Sequence, residues 1–74
     1  MYHLQMKDIT TGLWARSEDH SSRDTATEQL ETRDYVISGW KNDGQPKGCR
    51  VVNDAGEIVD YSWLSDNPTT GENL

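Results

Sequence analysis

The spacing of apolar residues constrains this fold most strongly, because it changes along the chain from alternation to a helical period and back. In residues 2–9 apolar and polar side chains alternate, which predicts a strand with one solvated face. The apolar face carries Tyr2, Leu4 and Met6, and the polar face carries His3, Gln5 and Lys7. Gly12 then supplies a turn, and residues 13–17 return as the second strand of a hairpin.

The middle of the chain predicts a helix after a polar loop over residues 18–25. Ser21 or Ser22 can cap this helix, and Thr25 followed three residues later by Glu28 matches a capping box. At 100° per residue, the apolar side chains of the segment fall within an arc of about 120°. These side chains are Ala26, Leu30, Val36, Ile37 and Trp40.

The end of this helix has two interpretations. Gly39 is well suited to the position just after a helix, which favours a helix over its full length. However, Arg33 lies inside the apolar arc and Tyr35 lies inside the acidic one. The alternative is a helix that ends near Thr32, with a strand beginning at Tyr35.

A second hairpin is predicted near the end of the chain, after a loop over residues 41–48. Cys49–Asn53 forms its first strand, residues 54–56 form the turn, and residues 57–63 form the return strand. Alternation in the return strand places Val59, Tyr61 and Trp63 on one face.

The predicted fold is therefore a small α+β domain of order β-β-α-β-β, with a four-stranded, mostly antiparallel sheet and one helix packed on one face. Residues 1–64 form this single domain, and residues 65–74 are expected to be a disordered polar tail. The core is expected to be thin, because only 32% of the 74 residues are hydrophobic and phenylalanine is absent. Homodimerisation would relieve that shortage.

Charge and composition narrow the classes of function. Thirteen acidic residues against seven basic ones give a formal net charge of −6, which disfavours nucleic acid and anionic membranes as partners. The chain has no apolar run of about 18 residues and no visible signal peptide. Its single cysteine, Cys49, cannot form an internal disulfide, so we expect a cytoplasmic protein with this thiol packed in the core.

No pattern in the sequence predicts catalysis, a metal site or a cofactor. His3, His20 and Cys49 are scattered, without the spacing of zinc ligands. The adjacent residues Asp19, His20 and Ser21 would project in different directions, whereas a catalytic triad is assembled from separated segments. The glycines form no phosphate-binding loop. We therefore expect a protein that is not an enzyme.

The leading hypothesis is a small, acidic protein-interaction module. Asp24, Glu28 and Glu31 lie at i, i+4 and i+7 and span about 10 Å along one helix side, which suits a partner protein with a basic surface. Aromatic anchors are predicted at Tyr35, Trp14 and Trp63. In size, acidity and tryptophan content the chain is like phage and prophage accessory proteins that bind a larger host protein, an analogy that rests on no motif.

The alternative hypothesis is a small nucleic-acid-binding regulator. Such a protein would use the sheet face that the helix leaves open, with aromatic side chains that stack on bases. Its cations would be a local group of four residues, Arg16, Lys41, Lys47 and Arg50.

Overall fold

A computed structural model of the chain describes residues 1–8, 11–40, 48–62, 65 and 73, without the side chains of residues 34–40. The elements are β1 (Tyr2–Lys7), β2 (Trp14–His20), α1 (Arg23–Trp40), β3 (Cys49–Asn53) and β4 (Ile58–Tyr61). The order is β-β-α-β-β, and the predicted α+β fold class is confirmed.

The four strands form one sheet in the order β2-β1-β3-β4, and every neighbouring pair is antiparallel. Both predicted hairpins are present, and β1 joins them by pairing with β3. α1 packs on one face of this sheet. The buried core between them consists of Leu4, Ala26, Leu30, Cys49 and Val51, with Tyr2, Met6 and Val59 packed around it. The apolar face predicted for β1 is therefore the face that α1 covers, and the opposite face is called the helix-free face below.

The start of α1 differs from the prediction. β2 continues to His20, so that only residues 21 and 22 separate it from the helix. The Ser22 Oγ accepts a hydrogen bond from the Thr25 backbone N–H at 3.2 Å, which makes Ser22 the N-cap. The predicted capping box of Thr25 and Glu28 is wrong, because Thr25 already lies in the first helical turn.

The helix continues to Trp40, so the alternative that it ends near Thr32 is wrong and Gly39 lies within its last turn. The charged side chain of Arg33 can lie on the side of α1 that faces the sheet because it forms an ion pair there. The Arg33 Nη2 donates to the Glu18 Oε2 at 2.7 Å. Glu18 lies opposite Leu4 in the β1–β2 pairing, and cross-strand partners share a sheet face.

A bulge in the last hairpin overturns the face predicted for β4. Val51 pairs with Asp60 and Val52 pairs with Ile58, which leaves Val59 as the extra residue. Val59 packs against the core, whereas Tyr61 lies opposite Arg50 on the helix-free face. The prediction that Val59 and Tyr61 share a face is therefore wrong, because simple alternation does not continue through a bulge.

Parts of the predicted loop and tail fall outside the described residues. Within the loop predicted over residues 41–48 only Gly48 is described, and within the tail predicted over residues 65–74 only Ser65 and Asn73 are described. The Ser65 Oγ accepts a hydrogen bond from the Cys49 backbone N–H at 2.8 Å, and Asn73 forms an isolated parallel bridge with Trp14. Both residues therefore contact the sheet.

Candidate interaction surfaces

The side of α1 that points away from the sheet is acidic. Asp24, Glu28 and Glu31 are all exposed, whereas Ala26 and Leu30 are buried on the opposite side. Within the described part of the chain, no side chain forms an ion pair or hydrogen bond with these three carboxylates. We call this set of three residues the acidic side of α1. Its charge is directed into solvent, where it can act on a partner.

Of the three aromatic residues predicted as anchors, only Trp14 has its side chain among the described parts of the chain. Trp14 is only 1% exposed and lies on the helix-free face, opposite Lys7 in the β1–β2 pairing. Tyr35 lies in α1 one turn beyond Glu31, but its side chain is outside the described part. Trp63 also lies outside the described residues. Roles for Tyr35 and Trp63 therefore stay predictions, and buried Trp14 presents no anchor.

Trp14 instead belongs to a packed layer on the helix-free face. The Arg50 guanidinium carbon lies 4.2 Å from the centroid of the Trp14 ring, and the Lys7 Nζ lies 5.4 Å from it. These are cation–π distances, and such contacts are strongest where water is excluded. Trp14 therefore contributes to the fold of this face.

Arg50 is buried in the same layer, with 5% of its surface exposed. Its Nε donates to the Gln5 Oε1 at 2.8 Å, and its Nη2 donates to the Asn73 Oδ1 at 3.2 Å. Burial lowers the pKa of the Arg50 guanidinium from its ordinary value, because removal from water disfavours the charged form. The guanidinium is therefore a structural group rather than a surface cation.

Sequence reasoning missed a charged cluster at the other end of the helix-free face. The His3 ring lies between two carboxylates, with Nδ1 2.7 Å from the Asp19 Oδ1 and Nε2 2.7 Å from the Asp54 Oδ1. The amino group of Met1 contacts the other oxygen of Asp54, and the Arg16 Nε lies 3.5 Å from the Asp19 Oδ1. Alternation along β1 placed His3 on the correct face. Asp19 was missed because the predicted strand ended before it.

These contacts change the acidity of all three side chains of the cluster. The pKa of His3 is raised above its ordinary 6.5, mainly by the hydrogen bond to Asp19 and secondly by the hydrogen bond to Asp54. The hydrogen bond with His3 lowers the pKa of Asp19 below 3.8. The pKa of Asp54 is also lowered, first by the amino group of Met1 and then by His3.

The described residues form no metal cluster, pocket or membrane-spanning helix. No group of three or more His, Cys, Asp or Glu side chains there is placed to hold a metal ion. Those residues enclose no pocket. No helix in the described ranges combines the length and apolar character needed to cross a membrane.

Comparisons with protein families, curated proteins and solved structures find no match to this chain. Its function must therefore be inferred from its own surfaces.

Proposed function

We propose that this chain is a small acidic protein-interaction module that binds a larger protein with a basic surface. The observation that carries the proposal is the acidic side of α1, where Asp24, Glu28 and Glu31 are exposed and have no ionic partner among the described residues. We further propose that the protein acts in the cytoplasm, without catalysis of its own and without a cofactor.

Rigid placement of these carboxylates favours recognition by charge. Ala26 and Leu30 hold the other side of α1 against the sheet, so that the acidic residues are presented in one direction. A basic groove, including one that ordinarily holds nucleic acid, would complement this row. Complementarity of this kind raises the association rate and selects among partners, and salt weakens it over a Debye length of about 8–10 Å.

The class of partner follows from an analogy. Small acidic proteins of phages and prophages commonly bind a larger host protein, and we propose a partner of that class here. A homodimer is a second proposed assembly, because a chain of this size has a small core. Light scattering of the purified protein distinguishes monomer from dimer.

Three observations weigh against the alternative of nucleic-acid binding on the helix-free face. Trp14 is buried and cannot stack on a base unless the face rearranges. Arg50 is buried with it, while Lys41 and Lys47 lie outside the described residues. Arg16 is exposed but lies close to Asp19, which reduces its net attraction for phosphate.

The test is a comparison of partner capture by tagged variants in lysate of the native host, at low and moderate salt, with mass spectrometry. We expect the wild-type chain to capture one stoichiometric protein, which higher salt releases. Glu28→Lys with Glu31→Lys should lower the affinity for that purified protein by at least about tenfold, because both changes reverse charge on the acidic side of α1.

The matched control compares single substitutions with the same change of charge. Glu57→Lys alters an exposed acidic residue in the turn between β3 and β4, whereas Glu28→Lys alters the acidic side of α1. Only Glu28→Lys should weaken binding, with circular dichroism spectra equal for all variants. Equal capture by both would contradict the proposal. Micromolar binding to an oligonucleotide, measured by fluorescence anisotropy, would favour the nucleic-acid alternative.

A further inference from the structure

His3 connects three parts of the sheet that are distant in sequence. The residue lies in β1, with Asp19 near the end of β2 on one side and Asp54 in the turn between β3 and β4 on the other. Each ring nitrogen is 2.7 Å from a carboxylate oxygen. The side chain of His3 therefore contacts a residue of each hairpin.

The geometry specifies the protonation state of the ring. A carboxylate only accepts hydrogen bonds, so each of the two contacts needs an N–H donor from the imidazole. The neutral ring has one donor and one acceptor, and only the imidazolium has two donors. Loss of one proton would therefore place a nitrogen lone pair against a carboxylate oxygen, and that contact would become repulsive.

The other charged groups around His3 differ on its two sides. Asp19 has Arg16 nearby at 3.5 Å and is the less exposed of the two carboxylates. Asp54 contacts the amino group of Met1 and lies in an exposed turn, with 68% of its side chain exposed.

The remaining charged groups nearby have other partners. In the turn that holds Asp54, the Glu57 carboxylate accepts a hydrogen bond from the Asn53 side chain. His20, at the end of β2, lies opposite Tyr2 on the helix-covered face and 3.6 Å from Glu18.

We propose that His3 is a pH-sensitive clasp, which when protonated holds the β3–β4 turn and the end of β2 to β1 and when deprotonated releases the turn at Asp54. Both carboxylates keep a cationic contact when the ring is neutral, Arg16 for Asp19 and the Met1 amino group for Asp54. Asp54 is the side that separates because it is the more exposed of the two. This inference is independent of the acidic side of α1 and of any partner.

The direction of the pH dependence follows from linkage. The pKa of His3 is raised in the folded chain, so its stabilising contribution is complete below pH 6.5 and is lost as the pH rises through the higher folded-state pKa. The pKa values of Asp19 and Asp54 are lowered. Their contribution is present above pH 3.8 and is lost as the pH falls through the lower folded-state pKa values. The clasp is therefore closed between these limits and opens on the alkaline side, as the pH rises through the raised pKa of His3.

The first test is a nitrogen-15 NMR titration of the wild-type histidine rings together with the backbone amides. At about pH 6 we expect both ring nitrogens of His3 to carry protons, as the imidazolium does. One of them should lose its proton as the pH is raised, and the amides of residues 53–57 should shift with the same midpoint. A His3 ring with one proton at about pH 6, or turn amides that do not follow its titration, would overturn the proposal.

Substitutions assign the effect to the proposed atoms. His3→Gln should abolish the alkaline shift of the turn amides, whereas the control His20→Gln, which alters the other histidine, should leave it unchanged. Asp54→Asn should also abolish the response, because a carboxamide can accept from the charged ring or donate to the neutral one. A turn that still responds with the same midpoint in His3→Gln would contradict the assignment. If either variant fails to fold, the wild-type titration decides.

Discussion

At the scale of single residues, Gly48 makes room for Trp14, the largest fully buried side chain among the described residues. A Cβ added at position 48 would lie 2.5 Å from the Trp14 Cη2 and 3.2 Å from its Cζ3. Glycine is required there for space and not for backbone conformation, since the left-handed φ values among the described glycines belong to Gly12 and Gly56. The buried ring has little freedom to move away.

Gly48→Ala should therefore destabilise the fold by about 1–3 kcal/mol through overpacking. The measurement is the free energy of unfolding from denaturant titration. The m value, which is the slope of that free energy against denaturant concentration, should not change. The cost should fall when the same change is made in a Trp14→Phe background, because a phenyl ring lacks the atom that the new methyl group would meet first. An equal cost in both backgrounds would show that contact with Trp14 is not the cause.

At the scale of elements, α1 is connected to the sheet at both its start and its middle. Ser22 caps the first turn, and the Arg23 Nη2 donates to the backbone oxygen of Val59 at 2.6 Å. In the middle, Arg33 pairs with Glu18 of the edge strand β2. The start of the helix is thus determined by a polar contact between residues three positions apart. The orientation of the helix is determined by contacts with residues far away in sequence.

Ser22→Ala should lower the free energy of unfolding by about 1 kcal/mol, because it removes the acceptor for the Thr25 backbone N–H. Ser21→Ala is the matched control, since it makes the same change at the adjacent exposed residue outside the cap. Chemical denaturation followed by circular dichroism measures both. If the two variants lost the same stability, Ser22 would not be the functional cap.

At the scale of the whole molecule, stability depends on a small number of buried apolar side chains. Leu4 lies in β1, a central strand of the sheet, and is fully buried with Val51 and the helix residues Ala26 and Leu30. Small domains bury a smaller fraction of their surface than large ones, so their total stability lies near the low end of about 5–15 kcal/mol. The stability lost when one core side chain is removed is therefore a large part of the total free energy of unfolding.

Leu4→Ala should cost about 2–5 kcal/mol and leave much of the chain unfolded at 37 °C. Leu13→Ala makes the same chemical change at a half-buried residue of the turn before β2 and should cost less. The midpoints of thermal unfolding compare the two directly. Similar midpoints would indicate that the core between α1 and the sheet contributes less than its burial implies.

Much of the fold could be predicted from the sequence because the relevant signals are local. Alternation in residues 2–7 marked β1, and the turn residues 54–56 marked the second hairpin. The helical spacing of Ala26 and Leu30 marked the buried side of α1. The exposed positions of Glu28 and Glu31 follow from the same spacing. The sequence left the helix cap open among Ser21, Ser22 and a capping box at Thr25, because serine and threonine are all favoured caps.

Local patterns in the sequence were sufficient to predict the order of elements, the hairpins and the acidic side of α1, because each depends on residues within a few positions of one another. Three features emerge only in the folded chain: the strand order, the bulge that separates Val59 from Tyr61 and the burial of Trp14 with Arg50. The His3 clasp also belongs to this second group, since its partners are 16 and 51 positions away along the chain. Propensity and periodicity act over a few residues, whereas distant side chains meet only when the strands pair in one register and the whole chain reaches its lowest free energy.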